Sequence, residues 1–438
     1  MRAYEESVAF LQALEVSAGW DLGLERVRAA LALRGNPEAR LFVLHVGGTN
    51  GKGSTAAMLE SVLRAAGFRT GLYTSPHLVD FAERIRAGGC TIPHDAVSGL
   101  VAEQRAAFDA AGLALTHFEF ATLLALEWFA RIGVEVAVVE VGLGGRLDAT
   151  NVVQPAATAI TSVGYDHEAW LGDSLAAIAA EKAGIIKPGV PVVVGPMPPE
   201  ARAVVAACAT AAGARLRPVG PEALVDTGEG LFFAAERDLG WSGIRLALAG
   251  RFQRANAAVA LATLACVQDR WPCSPSAVRA GLAGVQWPGR LAVLRRSPLV
   301  LADGAHNPEG AAALAAELPA LTAGRPLTLV FAVMADKAWP AMLDRLAPLA
   351  DRIVLTRVGR RGLDPERIAA ALPAGVATAI VPDARAAVRG AVAGAPAEGA
   401  VVIAGSLFLV GEAYAELAGG AGLSPWNGWK GDGTESAP

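Results

Sequence analysis

Residues 41–54 read LFVLHVGGTNGKGS: an apolar run, a glycine-rich loop, Lys52, Ser54 and then a helix-forming segment. A phosphate chain needs that combination. Glycines let backbone N–H groups turn inward, and a helix N-terminus adds roughly half a positive charge. Lys52 is long enough to reach a terminal phosphate, and Ser54 can ligate magnesium. The loop is a variant of the common Gly-x-x-x-x-Gly-Lys-Ser/Thr pattern: Val46 stands where the first glycine would be, and Gly53 separates Lys52 from Ser54. The competing reading is a glycine turn with a surface lysine, which the strand and helix flanks disfavour.

Other reactive side chains follow strand-like runs. Residues 134–140, VEVAVVE, end on Glu140 and lead into VGLGGRLDATN at 141–151. A carboxylate at a strand's carboxyl end beside a phosphate loop suits a magnesium contact, or equally a local salt bridge. Asp148 and Asn151 are turn formers as readily as ligands. Asp166-His167 lies just past a strand, and Glu181-Lys182 lies near a helix end. Asp303 and His306 also follow a strand, either as ligand contacts or as a loop and N-cap before Pro308.

The elements that must hold these residues alternate as in an α/β protein with a mostly parallel sheet. Strands are expected at 41–46, 134–140, 157–163 and 191–194. Helices are expected at 54–66 and 174–183, with Gly67 and Gly184 as their C-terminal stops. A second set of strands is expected at 299–303, 327–333, 352–356, 377–381 and 401–404. A Pro-Gly turn at 288–289 sets the boundary near residue 294, giving domains 1–294 and 295–418 and a tail at 419–438.

Composition narrows the classes. The 438 residues are 53% hydrophobic and 18% charged, too apolar for a disordered chain, and the net charge of −4 offers no stripe for nucleic acid. Cys90, Cys208, Cys266 and Cys273 form no CxxC pair, which fits a reduced, cytoplasmic setting. The N-terminus is acidic where a secretory leader would be basic, and no apolar stretch reaches the ~18 residues of a membrane span.

Taken together, DLGLERV (21–27), HVGGTNGKGS (45–54), TSPHL (74–78), THFEF (116–120), EVGLGGRLDATN (140–151), DHEAWLG (166–172), EKAGIIK (181–187), WPGRL (287–291) and DGAHNP (303–308) resemble the folylpolyglutamate synthase and dihydrofolate synthase family of Mur-type ATP-dependent amide ligases. The resemblance implies a P-loop Mur-ligase-type ATPase domain followed by a smaller Rossmann-like α/β domain. It implies ligation of L-glutamate to dihydropteroate, to a (tetrahydro)folate or to both, through an acyl phosphate. The rival readings are a Mur-type ligase for a peptidoglycan precursor and a P-loop kinase or ATPase.

By position, the resemblance assigns ATP to Thr49, Asn50, Gly51, Lys52, Gly53, Ser54, Asn256, Arg290, Asp303 and His306. It assigns one magnesium to Ser54 and Glu140, and a second metal to His167 and a carbamylated Lys182, where manganese could serve as well. Lys52, His167 and Lys182 are the implied catalytic residues. The implied pteroate pocket is Asp21, Leu22, Gly23, Thr116, His117, Phe118, Glu119, Leu147, Asp148 and Ala149, with Ser75 and His77 in a neighbouring loop. Small-molecule substrates, no nucleic acid, no membrane and a monomer complete the expectation. One departure stands out: Asp336-Lys337-Ala338 replaces the family's usual Asp-Lys-Asp.

Overall fold

The computed structural model describes residues 2–18, 22–373 and 375–417; Asp21 and the tail expected at 419–438 lie outside the described residues. The chain forms two units. One comprises Met1–Ser75, Phe81–Ala247 and Gln253–Val285, and the other Pro76–Asp80, Leu248–Phe252 and Gln286–Pro438.

In the first unit, strands β1 (Val43–Gly47), β2 (Thr70–Tyr73), β3 (Ile85–Ala87), β4 (Cys90–Thr91), β5 (Val136–Glu140), β6 (Pro155–Ile160), β7 (Val192–Val194) and β8 (Leu216–Pro218) form one sheet in the order β4-β3-β2-β5-β1-β6-β7-β8. From β2 to β8 the pairs are parallel, and β3 and β4 add an antiparallel edge. Every residue of β1 and β5 is buried, as expected of strands covered on both faces, which is why they read as unbroken apolar runs. On one face Val43, Ala137 and Val139 pack with side chains of the helices His94–Ala110 and His117–Arg131.

Because β1 lies between β5 and β6, the loops that follow these three strands emerge side by side. Val46 is level with Glu140, and Gly47 with Ile160. The carboxyl ends of such strands are where open α/β sheets bind ligands. A hairpin of β9 (Leu224–Asp226) and β10 (Leu231–Phe233) stands apart from the sheet.

The second unit holds β11 (Ala292–Arg296), β12 (Leu299–Ala302), β13 (Leu327–Phe331), β14 (Arg352–Arg357), β15 (Ala377–Asp383) and β16 (Ala400–Ala404), in the order β11-β12-β16-β13-β14-β15. Its five parallel strands are those expected from sequence. β11 is an antiparallel edge strand that was not expected, and the anticipated boundary at residue 294 falls inside it. Val293, Arg295 and Arg296 are exposed there, as suits an edge, so the segment lacks a core-strand signature. The chain's last crossing from the first unit to the second lies upstream, between Val285 and Gln286. No described helix is long and apolar enough to cross a membrane, and all four cysteines are free thiols.

The two glycine stops differ in kind. Gly67 is left-handed at φ 94°, as a C-terminal glycine commonly is. Gly184 ends the helix Leu175–Ala183 in right-handed geometry at φ −62°, so conformation does not demand glycine. A neighbour does: a Cβ there would lie 2.3 Å from the Arg146 Cβ and 2.5 Å from its Cα. Gly184→Ala is therefore expected to cost about 1–3 kcal/mol through overpacking, read as a lower urea midpoint; an unchanged midpoint would contradict the packing argument.

Candidate active site

The glycine loop is sewn to the segment after β6. The Thr49 amide donates to the Ser162 carbonyl at 2.9 Å, and the Asn50 amide to the Ser162 hydroxyl at 2.9 Å. Thr161 Oγ1 donates to the Asn50 carbonyl at 2.6 Å. Close approach explains two glycines: a Cβ at Gly48 would meet Thr161 Oγ1 at 2.0 Å, and one at Gly51 would meet Asn256 Oδ1 at 2.2 Å. Both are also at positive φ, 141° and 85°. With the Thr49 and Asn50 amides engaged, the N–H groups without intrahelical partners are those of the first turn of the helix Lys52–Ala65, the kind of group that suits an anion.

Two lysines meet at this loop. Lys52 Nζ donates to the carbonyls of Gly48 and Thr49, both at 3.0 Å, and Lys182 Nζ, only 4% exposed, donates to the same Gly48 carbonyl at 3.1 Å. Sharing one oxygen keeps the two nitrogens within about 6 Å, where two positive charges repel by roughly 3 kcal/mol at an effective dielectric of about 20. A hydrogen bond from a charged group returns about 1.5–3 kcal/mol. The repulsion is comparable to one such bond.

Ser54 is buried and accepts from Gln253 Nε2 at 3.4 Å, while Gln253 Oε1 accepts from Asn256 Nδ2 at 2.8 Å. Gln253 was not singled out from sequence. Its only signal was its position three residues before Asn256 on one helix, Gln253–Ala265. Glu140, at the end of β5, accepts from the Ser75 amide at 3.2 Å. His167 is left-handed at φ 53° and donates its amide to Asp166 Oδ1 at 3.0 Å, with its Nε2 3.9 Å from the same oxygen. Among the described residues no group of three or more His, Cys, Asp or Glu is arranged to hold a metal ion; the expected set would contribute only Glu140 and His167 to such a group.

The two motifs 140–151 and 181–187 form one lock. A Cβ at Gly145 would press on the carbonyls of Glu181 and Lys182 at 2.8 and 2.9 Å. Asn151 Nδ2 donates to the Arg146 and Gly184 carbonyls, each at 3.0 Å, and Lys187 Nζ donates to the Asn151 carbonyl at 3.0 Å. Arg146 pairs with Glu181 at 2.8 Å. The glycines thus bring the helix end that carries Lys182 against the loop after β5.

Several residues expected in the pteroate pocket carry structural bonds. Asp148, 3% exposed, accepts from the amides of Leu143 at 2.8 Å and Thr150 at 3.0 Å, and from the Thr150 hydroxyl; burial raises its carboxyl above the ordinary range. Thr116 and Glu119 form a capping box on the helix His117–Arg131, and Glu119 pairs with Arg26 at 2.8 Å. His117 Nδ1 meets the Leu11 carbonyl at 2.9 Å, and Phe118 lies 6.1 Å from the Tyr73 ring with Gly142 against it. Leu22 packs on the core under β6 and β7, Gly23 lies beside Glu25, Leu147 is half-buried and Ala149 buried. His77 belongs to the second unit.

In that unit Asp303 directly follows β12, buried, and accepts from the amides of Leu291 at 2.9 Å and Ala305 at 2.8 Å; burial raises its carboxyl too. It thereby fixes the turn that carries Arg290, whose NH1 would lie 2.7 Å from a Cβ on Gly304. His306 Nδ1 meets the Gly304 carbonyl at 2.8 Å, and Asn307 caps the helix Pro308–Thr322. Ala338 sits at the N-cap of the helix Trp339–Leu346 with no side-chain cap.

Known proteins share this architecture across most of its length. The Mur ligase middle domain family matches residues 46–264, and the Mur ligase glutamate ligase domain family matches 289–407. The folylpolyglutamate synthase of Lacticaseibacillus casei is 37% identical over 430 residues, 95% of this chain and 99% of that protein. The structure of Escherichia coli FolC in complex with DHPP and ADP superposes with a TM-score of 0.81 at 34% identity, covering 92% of this chain and 96% of that one. The bifunctional folylpolyglutamate synthase/dihydrofolate synthase of Yersinia pestis, complexed with AMPPNP and Mn ion, gives a TM-score of 0.82 at 34% identity, covering 94% and 98%. With the Mur-ligase fold running through both units, this chain belongs to the folylpolyglutamate synthase and dihydrofolate synthase family.

Proposed function

We propose that this chain is an ATP-dependent ligase that joins L-glutamate to dihydropteroate, to a (tetrahydro)folate or to both, releasing ADP and phosphate. The observation that carries the reading is the convergence of Lys52 and Lys182 on the Gly48 carbonyl of a phosphate-type loop. A carboxylate is a poor acyl donor. Its oxygen attacks the γ-phosphorus of ATP, the bond to ADP breaks, and the acyl phosphate that results loses phosphate when glutamate's amine attacks the carbonyl. Lys52 and the first turn of its helix neutralise the charge on the transferring group.

Thr49, Asn50, Gly51, Gly53, Asn256, Arg290, Asp303 and His306 are assigned with Lys52 and Ser54 to the nucleotide. The Ser54 hydroxyl and the Glu140 carboxylate are hard oxygen donors that fit magnesium. Lys182 as an ammonium beside Lys52 does not fit a cation site; as a carbamate, formed when its neutral amine takes up carbon dioxide and loses a proton, it does. We assign it with His167 to a second metal, magnesium or manganese. A divalent cation bound at these positions supplies charge neutralisation to the phosphates. The acyl substrate is assigned to Leu22, Gly23, Ser75, His77, Thr116, His117, Phe118, Glu119, Leu147, Asp148 and Ala149, with Asp21. The same reading makes the protein a cytoplasmic monomer.

Product analysis with dihydropteroate and with tetrahydrofolate, each alongside ATP and glutamate, tests the function. An amide product with stoichiometric phosphate from at least one acid is expected, and ATP hydrolysis indifferent to both acids would overturn the reading. The lysines separate by their chemistry. Lys182→Ala is expected to lose most activity and to regain part of it with added acetate or propionate. Lys52→Ala is expected to lose about 3–5 kcal/mol of transition-state stabilisation and to stay unresponsive to these acids. Normal ligation by Lys182→Ala without added acid would remove the carbamate from the account.

A further inference from the structure

His45 lies in the middle of β1, fully buried, and burial lowers its pKa to about 3, so its ring is neutral. Its Nε2 is 2.9 Å from Thr150 Oγ1. The Thr150 hydroxyl has one proton, and that proton goes to Asp148 Oδ1. With Asp148 ionised, the bond from His45 runs from Nε2–H to the hydroxyl, which sets the tautomer and leaves Nδ1 bare. Nδ1 is buried and has no hydrogen-bond partner among the described residues.

A bare buried nitrogen costs stability that an apolar residue in the same strand would not incur. Packing alone therefore gives no reason for histidine here; the Nε2–H bond does. Asp148 in turn gathers the Thr150 hydroxyl and amide on one oxygen and the Leu143 amide on the other, with the Gly142 amide nearby. The chain imidazole–hydroxyl–carboxylate thus ties the loop 142–150 to the centre of the sheet. The glycine loop has separate anchors in Thr161, Ser162 and Gln253.

We infer that His45 is a positioning residue for the acyl-substrate subsite, acting through Thr150 and Asp148 on the loop that carries Leu147 and Ala149. The inference rests on the proposed ligase function. It gives a polar core residue the task of holding a substrate loop while sparing the nucleotide loop that begins three residues later.

Two buried amides of different reach make the test. His45→Gln places a donor near the original Nε2, and His45→Asn only near Nδ1. Steady-state KM is measured for ATP and for whichever pteroyl acid the unmodified protein ligates. His45→Asn and Thr150→Val are each expected to raise the acid's KM about tenfold, with the ATP value within about twofold, as the loss of one buried hydrogen bond implies. His45→Gln and Thr150→Ser are expected to stay within about threefold of the unmodified protein, and His45→Asn/Thr150→Val to be no worse than the poorer single variant. Equal acid KM values for His45→Asn and His45→Gln, or parallel rises for acid and ATP, would overturn the inference. If the unmodified protein ligates neither acid, it is the proposed function that fails instead.

Discussion

The contact that draws the first unit's motifs together is the one between Lys182 Nζ and the Gly48 carbonyl. It requires a helix end from one motif to sit against a loop from another, and that approach is possible only where side chains are missing. Gly145 clears the carbonyls of Glu181 and Lys182, Gly184 clears Arg146, and Gly48 clears Thr161. Asn151, Lys187 and the Arg146–Glu181 pair then close the gap with hydrogen bonds. A buried lysine brought this way to a carbonyl that Lys52 also uses sets two positive charges close together, and the proposed ligase offers a carbamate and a polyphosphate to offset them.

The same geometry constrains the loops after β1 and β5 in different ways. The β1 loop spends two of its amides on the segment after β6, so its shape is set before any ligand arrives. The β5 loop is set by Asp148 and Asn151 from within. The strand order places these loops side by side, and the register aligns Glu140 with the start of the glycine loop. Preorganised donors of this kind suit a reaction whose difficulty is charge and positioning, because they need no rearrangement in the transition state.

How much of this was legible in the sequence depended on how local the physics was. The runs that became β1 and β5 were readable because burial on both faces leaves no polar interruption. The edge strand β11 was not, since its outward Val293, Arg295 and Arg296 look like a linker. Gly184 was placed correctly for the wrong reason: it ends a helix, but Arg146, distant in sequence, is what excludes a Cβ. Thr116 and Glu119 have the spacing of a capping box, a structural role that four consecutive residues are enough to state. Gln253 was hidden in an alanine-rich helix because its partner Ser54 lies 199 residues away.

The central claim is that the acid's carboxylate becomes bonded to phosphorus before the amide forms. Ligation of a pteroyl acid labelled with 18O in the reacting carboxylate, followed by mass analysis of the released inorganic phosphate, tests it directly. The account predicts one labelled oxygen in each phosphate, because the carboxylate oxygen that attacks ATP leaves with the phosphoryl group. Amide formation accompanied by unlabelled phosphate would contradict it.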